Sequence, residues 1–282
     1  MGNVTLNGSV SGSITIAPPS VAGTNTATLP AGTGTVIETV TNMAANPVTG
    51  TPSSSNYLRG DGTWATISAT GQLIRAPQIL TSGTSYTTPS NCTSIYVEAV
   101  GGGGGGGNYN NVISGAGGGG YCAKYFTVTG STSYTYAIGA GGASKTATNT
   151  DGNAGGNTTF TVGATTITAG GGGAGSGNSS APPSAVAGGA GGTATNGDIN
   201  IVGGAGGYGL NGNATGSEFN NVGGGGGTIL GVGPPAYLKA GGSAPNNVRI
   251  NGNNYGAGGL GNTNAAASGN GGAGVIRIWE YT

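Results

Sequence analysis

Two thiols, seven carboxylates and no histidine bound the chemistry open to these 282 residues. Without histidine there is no Ser–His or Cys–His nucleophile pair. The carboxylates stand singly along the chain, so the sequence presents no paired acids of the glycosidase kind. Cys92 and Cys122 flank a run of glycines. Two cysteines are neither a disulfide framework nor a metal-ligand set. They read as free thiols on neighbouring strands, with a bridge left open. Gly139-Ala-Gly-Gly-Ala-Ser-Lys-Thr146 misses a phosphate-binding loop at Ser144, where glycine is required, and no helical pattern follows it. Arg59-Gly60-Asp61 is the integrin tripeptide, but Asp61-Gly62 reads as the apex of a tight turn. The expectation is a protein that is not an enzyme, with no cofactor and no metal.

Binding chemistry is narrowed in the same way. Seven basic and seven acidic residues cancel, and the basic ones are scattered, so no phosphate-neutralising patch exists and nucleic acid is not an expected partner. No 18-residue apolar run is present, so no membrane insertion is expected. The N-terminal residues have neither the basic region nor the apolar core of a signal peptide. What remains is a set of Tyr- and Asn-rich segments, the composition of an adaptable recognition surface. Tyrosine rings stack on sugar faces and asparagine amides bond hydroxyls. The candidate receptor-binding residues are Tyr109, Asn110 and Asn111, then Tyr208, Asn211, Phe219 and Asn220, then Tyr237, Asn254 and Tyr255. For each tyrosine, local packing is an equal reading.

Something must hold those segments apart. The chain has 67 glycines, most of them between Gly101 and Gly274, beginning with the unbroken run Gly101–Gly107. A readable strand, Ser94-Ile-Tyr-Val-Glu-Ala-Val100, enters the region, and Val275–Tyr281 closes it. On the first, Ile95, Val97 and Ala99 share one face and Tyr96, Glu98 and Val100 the other. Tyr121–Thr129 and Ser133–Ile138 read as further strands. Thr158–Val162 and Thr165–Thr168 read as a hairpin across Gly163-Ala164. Between strands, recurring blocks such as Gly188-Gly-Ala-Gly-Gly192 suit polyglycine-II segments. These have three residues per turn and no internal hydrogen bonds, so each must bond its neighbours. Valine at Gly189 or Gly204 is expected to unfold such a bundle. The fold expected is all-β with glycine-rich polyglycine-II-type segments. Three regions are expected: 1–45, a β-rich attachment segment; 46–87, a linker and collar; and 88–282, a glycine-rich tip. Short strands in the first region, at Val4–Leu6, Ile14–Ile16, Thr26–Leu29 and Gly34–Val40, hold too few apolar residues for a core of their own.

Two stretches resemble known proteins. Ser13–Val36 and Asn56-Tyr-Leu-Arg-Gly-Asp-Gly-Thr-Trp64 resemble segments of phage tail-fibre and related virion proteins. The order from Ser94 through Tyr121-Cys-Ala-Lys-Tyr-Phe-Thr-Val-Thr129 to Gly-Ala-Gly-Val-Ile-Arg-Ile-Trp-Glu-Tyr281 is similar to the glycine-rich C-terminal domain of phage fibre tips and adhesins. The resemblance implies a homotrimer with an N-terminal β-rich trimeric shaft docked to other virion proteins. It implies a tip that binds a bacterial surface glycan or outer-membrane protein, and a location in the virion. The chain departs from that pattern in carrying more β-strand. Alternatives kept open are a virion decoration fibre with no receptor, and an ice- or matrix-binding protein. The last predicts a flat, regular Thr or Ala face.

Overall fold

The computed structural model describes residues 4–7, 13–16, 53, 56–60, 63–66, 70–179, 184–214, 217–240, 249–262 and 267–282. These form β-strands, turns and extended segments, with no helix among the described residues. Contacts divide the chain into a first unit, Met1–Ser68, and a second, Ala69–Thr282.

The first unit contains two antiparallel pairs. Strands β1 (Val4–Asn7) and β2 (Ser13–Ile16) pair with Val4 opposite Ile16. Strands β3 (Asn56–Leu58) and β4 (Trp64–Thr66) pair with Asn56 opposite Thr66. The Arg59 N–H donates to Thr63 O at 2.8 Å and closes that hairpin. The expected strands at 26–29 and 34–40, and the turn apex Asp61-Gly62, lie outside the described residues.

The second unit begins with β5 (Gln78–Leu80), β6 (Ser85–Thr87), β7 (Ser94–Val100), β8 (Val112–Ile113), β9 (Tyr121–Thr127) and β10 (Ser133–Ala137). Then come β11 (Thr158–Val162), β12 (Thr165–Ala169), β13 (Gly177–Asn178), β14 (Ser184–Val186), β15 (Ala194–Thr195) and β16 (Ile199–Ile201). The last are β17 (Gly209–Ala214), β18 (Ser217–Val222), β19 (Tyr237–Ala240) and β20 (Val275–Tyr281). Two five-stranded sheets dominate, ordered β16-β9-β7-β20-β5 and β15-β12-β11-β10-β6. A four-stranded sheet, β14-β17-β18-β19, and the pair β13-β8 complete the unit. Strands β5 and β6, from the 46–87 stretch, thus pair inside the second unit, each at a sheet edge.

Residue alternation explains how the large sheets meet. Ile95, Val97 and Ala99 on β7, with Ile276 and Ile278 on β20, face Phe160 and Ile167 of the second sheet, and all seven are fully buried. The rings of Tyr86, Phe126 and Tyr134 lie 6.2–6.4 Å from that of Phe160. The opposite face of β7 joins a smaller cluster of Val100, Tyr121, Ala123 and Val275. The β11–β12 hairpin turns at Gly163, whose φ of +58° lies in the left-handed region that glycine tolerates.

Cys92 and Cys122 are separate buried thiols. The Cys92 thiol donates to Ser94 O. Burial raises both pKa values, that of Cys122 to about 12. Since the thiolate is the reactive form, neither should react with a disulfide reagent at neutral pH until the protein is unfolded. Rapid labelling of the native protein would contradict that.

The glycine blocks fill the space next to the sheets with backbone alone. Gly101 to Gly107 are all buried. Gly101 and Gly104 donate to Gly120 O and Gly117 O at 3.0 and 2.9 Å. Gly102 and Gly105 donate to Gly156 O and Asn153 O, and Gly103 and Gly106 to Gly272 O and Gly269 O, at 2.8–2.9 Å. Every third residue therefore bonds the same neighbour. The carbonyls of Gly102, Gly103 and Gly104 receive N–H groups from three further segments, at Gly172, Gly142 and Gly259. The 115–120 segment repeats the pattern, with Gly115 and Gly118 bonding Gly207 O and Gly204 O. The methyls of Ala190 and Ala205, placed between glycine pairs, are exposed as their spacing leads one to expect.

Candidate functional site

The predicted binding residues divide into two groups. One gathers around the four-stranded sheet. Asn211 on β17 lies opposite Asn220 on β18, which pairs onward with Lys239, and Val222 pairs with Tyr237. Tyr208, immediately before β17, is 64% exposed. Asn211 is 7% exposed, so it is part of the sheet's packing rather than a free loop amide. The side chains of Phe219 and Asn220 lie outside the described residues. Strand β8 packs on β14, β17 and β18 and brings the Tyr109–Asn111 segment to the same region. The Tyr109 hydroxyl donates to Asp151 Oδ1 at 2.9 Å, and the Asn111 amide donates to Ser179 O. Partial burial, then that carboxylate, push the Tyr109 phenol above its ordinary pKa. Asn110 is exposed.

The second group is elsewhere. Asn254 is exposed and has a φ of +61°, a left-handed turn position that asparagine accepts. The ring of Tyr255 packs with Leu230 onto the Val100–Tyr121–Val275 cluster. The structure therefore does not bring Asn254 and Tyr255 into the set around β17–β19.

The carboxylates whose side chains are described are each engaged by a neighbouring side chain. Glu98 accepts from Tyr121 and pairs with Arg277. Glu280 is held by Arg75 and Tyr86, Asp198 by Lys124 and the Tyr125 N–H, and Asp151 by Tyr109. The hydrogen bond from Lys124 and then the Tyr125 N–H lower the pKa of Asp198. The near-miss phosphate loop is ordinary scaffold: Gly142 donates to Gly103 O, and the Ser144 N–H donates to Asn270 Oδ1.

Two surfaces went unread in the sequence because they arise from strand order. The outer face of the second sheet consists of small hydroxyl side chains and methyls, among them Ser85, Ser133, Thr135, Thr159, Thr161, Thr166 and Thr168, placed by the cross-strand register. The Ser85 and Ser133 hydroxyls are 2.6 Å apart, and those of Thr161 and Thr166 2.9 Å apart. The face runs into an open groove of about 590 Å³ bordered by Thr127, Thr129, Thr132 and Tyr134. The outer face of the first sheet is aromatic: Trp279, Tyr96 and Tyr125 are direct register neighbours on β20, β7 and β9.

Fold and surface together define a class: an all-β domain in which glycine-rich backbone layers carry exposed polar and aromatic segments. A family model described as a glycine-rich domain matches residues 80–281, and the chain belongs to that family. A search of curated proteins found no match.

Proposed function

We propose that this protein is a phage virion fibre whose glycine-rich unit is the tip that recognises the host surface. In this reading the glycine blocks are a bundle of polyglycine-II helices, the N-terminal strands form a trimeric shaft docked to other virion proteins, and the tip binds a bacterial glycan or outer-membrane protein. The observation that carries the reading is the three-residue hydrogen-bond period of Gly101–Gly106, shared among separate neighbours. Such a lattice is stiff and needs few side chains. It frees residues such as Tyr208, Leu210 and Val232, which are 64%, 47% and 76% exposed, for display. The test is adsorption: the purified full chain, added to host cells before infection, should occupy receptors and reduce phage attachment. Unchanged attachment at saturating protein would sink the adhesin and leave the decorative fibre. A second reading, ice or matrix binding, is favoured by one observation, the threonine and serine face of the second sheet. Arrest of ice growth by the same preparation would favour it.

A further inference from the structure

We propose that the outer face of the first sheet is a binding platform for a neutral hexose polysaccharide, separate from the loop surface around β17–β19. The inference deepens the host-surface reading by naming a ligand class, and rests on it only for the source of that ligand. The platform is a row of three rings across adjacent strands: Tyr125 on β9, Tyr96 on β7 and Trp279 on β20. Neighbouring strands stand about 4.8 Å apart, so the row advances by roughly the length of one pyranose per ring. The Tyr96 and Trp279 centroids are 5.8 Å apart and the rings are tilted rather than stacked on each other. Tyr125 is 53% exposed, and Tyr96 and Trp279 are half-buried, Tyr96 packing at the edge of the Val100–Tyr121–Val275 cluster. Aromatic faces of this kind take the C–H side of a sugar ring while hydroxyls reach the polar groups alongside.

The next row along the strands supplies those polar groups. Glu98 lies opposite Arg277, and the two are ion-paired with side chains 13% and 31% exposed. The Arg277 guanidinium sits 5.4 Å from the Trp279 ring centroid, which fixes the indole. Tyr121 donates to Glu98 at 2.9 Å and fixes the carboxylate. Ile79, 59% exposed, ends the row on β5. One negative and one positive group cancel within the face, so it complements an uncharged ligand with many hydroxyls. Single-stranded nucleic acid also stacks on rings but requires a positive groove beside them. The nearest basic residue on β9, Lys124, lies opposite Val97 on the other face and is held by Asp198.

The test is isothermal titration of the full-length protein with cellohexaose, maltohexaose and mannohexaose. Saturable binding of at least one is expected. Tyr125→Ala, an exposed position that folding does not depend on, should weaken it about tenfold, the loss of one stacking contact. Trp279→Phe should keep most of the affinity. No heat with any of the three sugars overturns the platform, as does binding indifferent to Tyr125→Ala. Self-association of the protein that Tyr125→Ala abolishes would show the face to be a subunit contact and would also overturn it. Sugar binding without reduced phage attachment leaves the platform standing and the host-recognition reading fallen. Reduced attachment without sugar binding does the reverse.

Discussion

Replacing Gly104 by alanine should prevent the second unit from folding, whereas the same change at Gly204 should leave it folded. Both residues sit in glycine blocks, but the space around them differs. A Cβ added at Gly104 would overlap the backbone carbonyl of Gly173, well inside the 3.0 Å that real Cβ atoms respect. There is no side chain to move aside. Gly173 is itself tied through its N–H to Ala190 O, and its carbonyl receives the Gly117 N–H at 2.8 Å. Gly104 in turn donates to Gly117 O and accepts from Gly259 N. Displacing one segment therefore strains three others. Each bond contributes only about 1 kcal/mol net, but a buried donor left unmade costs about 1–3 kcal/mol. A domain's whole stability is about 5–15 kcal/mol, so losing a handful of these bonds is enough. At Gly204 the nearest atoms are Gly227 N and O at 3.0 Å, a tight contact that a small outward shift relieves. Gly204→Ala should lower the melting temperature by a few degrees, about the effect of 1–2 kcal/mol in a unit of this size. Valine is expected to unfold the bundle at Gly189 or Gly204, but for a single added Cβ the two sites differ: Gly189 resembles Gly104, facing Gly173 O and Ala174 O, and Gly204 does not. Gly212, with no atom within 4 Å of an added Cβ, is the silent control. Soluble yield and thermal melts of the three alanine variants decide the matter. A Gly104→Ala protein that melts like the wild type would refute the account.

The strands that alternate were legible, and the contacts between distant strands were not. Ser94–Val100 announced two faces, and its two sets of residues enter two different clusters. The β11–β12 hairpin was visible because Gly163-Ala164 separates two Thr-rich runs of matching length. Nothing in the sequence says that β20 inserts between β7 and β5, because pairing across so long a separation leaves no local trace. The aromatic row was therefore hidden, although each of its rings lay in a recognisable strand. Strands β17 and β18 were missed as strands because Ser, Asn and Gly replace the usual apolar alternation. The same scarcity of apolar residues misplaced Asn211. In a bed with so few side chains an asparagine becomes packing material, and it is buried where a loop position was expected.

Arg75→Ala should be strongly destabilising although Arg75 itself is 49% exposed. Glu280 lies on β20 with 1% of its side chain exposed, facing the core between the two large sheets. Arg75 grips it with two bonds, Nε to Oε2 at 2.5 Å and Nη2 to Oε1 at 2.7 Å, and the Tyr86 hydroxyl donates to Oε1. Removing the guanidinium leaves a buried carboxylate with one donor. Breaking a buried pair in this way costs about 3–5 kcal/mol. Arg75 itself is 49% exposed, so water reaches its side of the pair and the lower figure applies. For a unit of this size, about 3 kcal/mol corresponds to a fall of roughly 6–12 °C in melting temperature. Adding Glu280→Gln to Arg75→Ala should recover part of the loss, because the amide carries no charge and still accepts from Tyr86. The network also sets the alkaline limit. Burial first, and then the bond to Glu280, raise the Tyr86 pKa in the folded protein, while an unfolded tyrosine titrates near 10. The folded state thus keeps a proton that the unfolded state releases. The contribution is whole below about pH 10 and is lost as pH climbs above that value. Tyr86→Phe should flatten the loss without abolishing it, since burial raises the Tyr121 pKa in the same direction. Urea melts of the wild type, Arg75→Ala, the double variant and Tyr86→Phe between pH 7 and 11 test both halves. An Arg75→Ala protein as stable as the wild type would mean that Tyr86 alone satisfies Glu280.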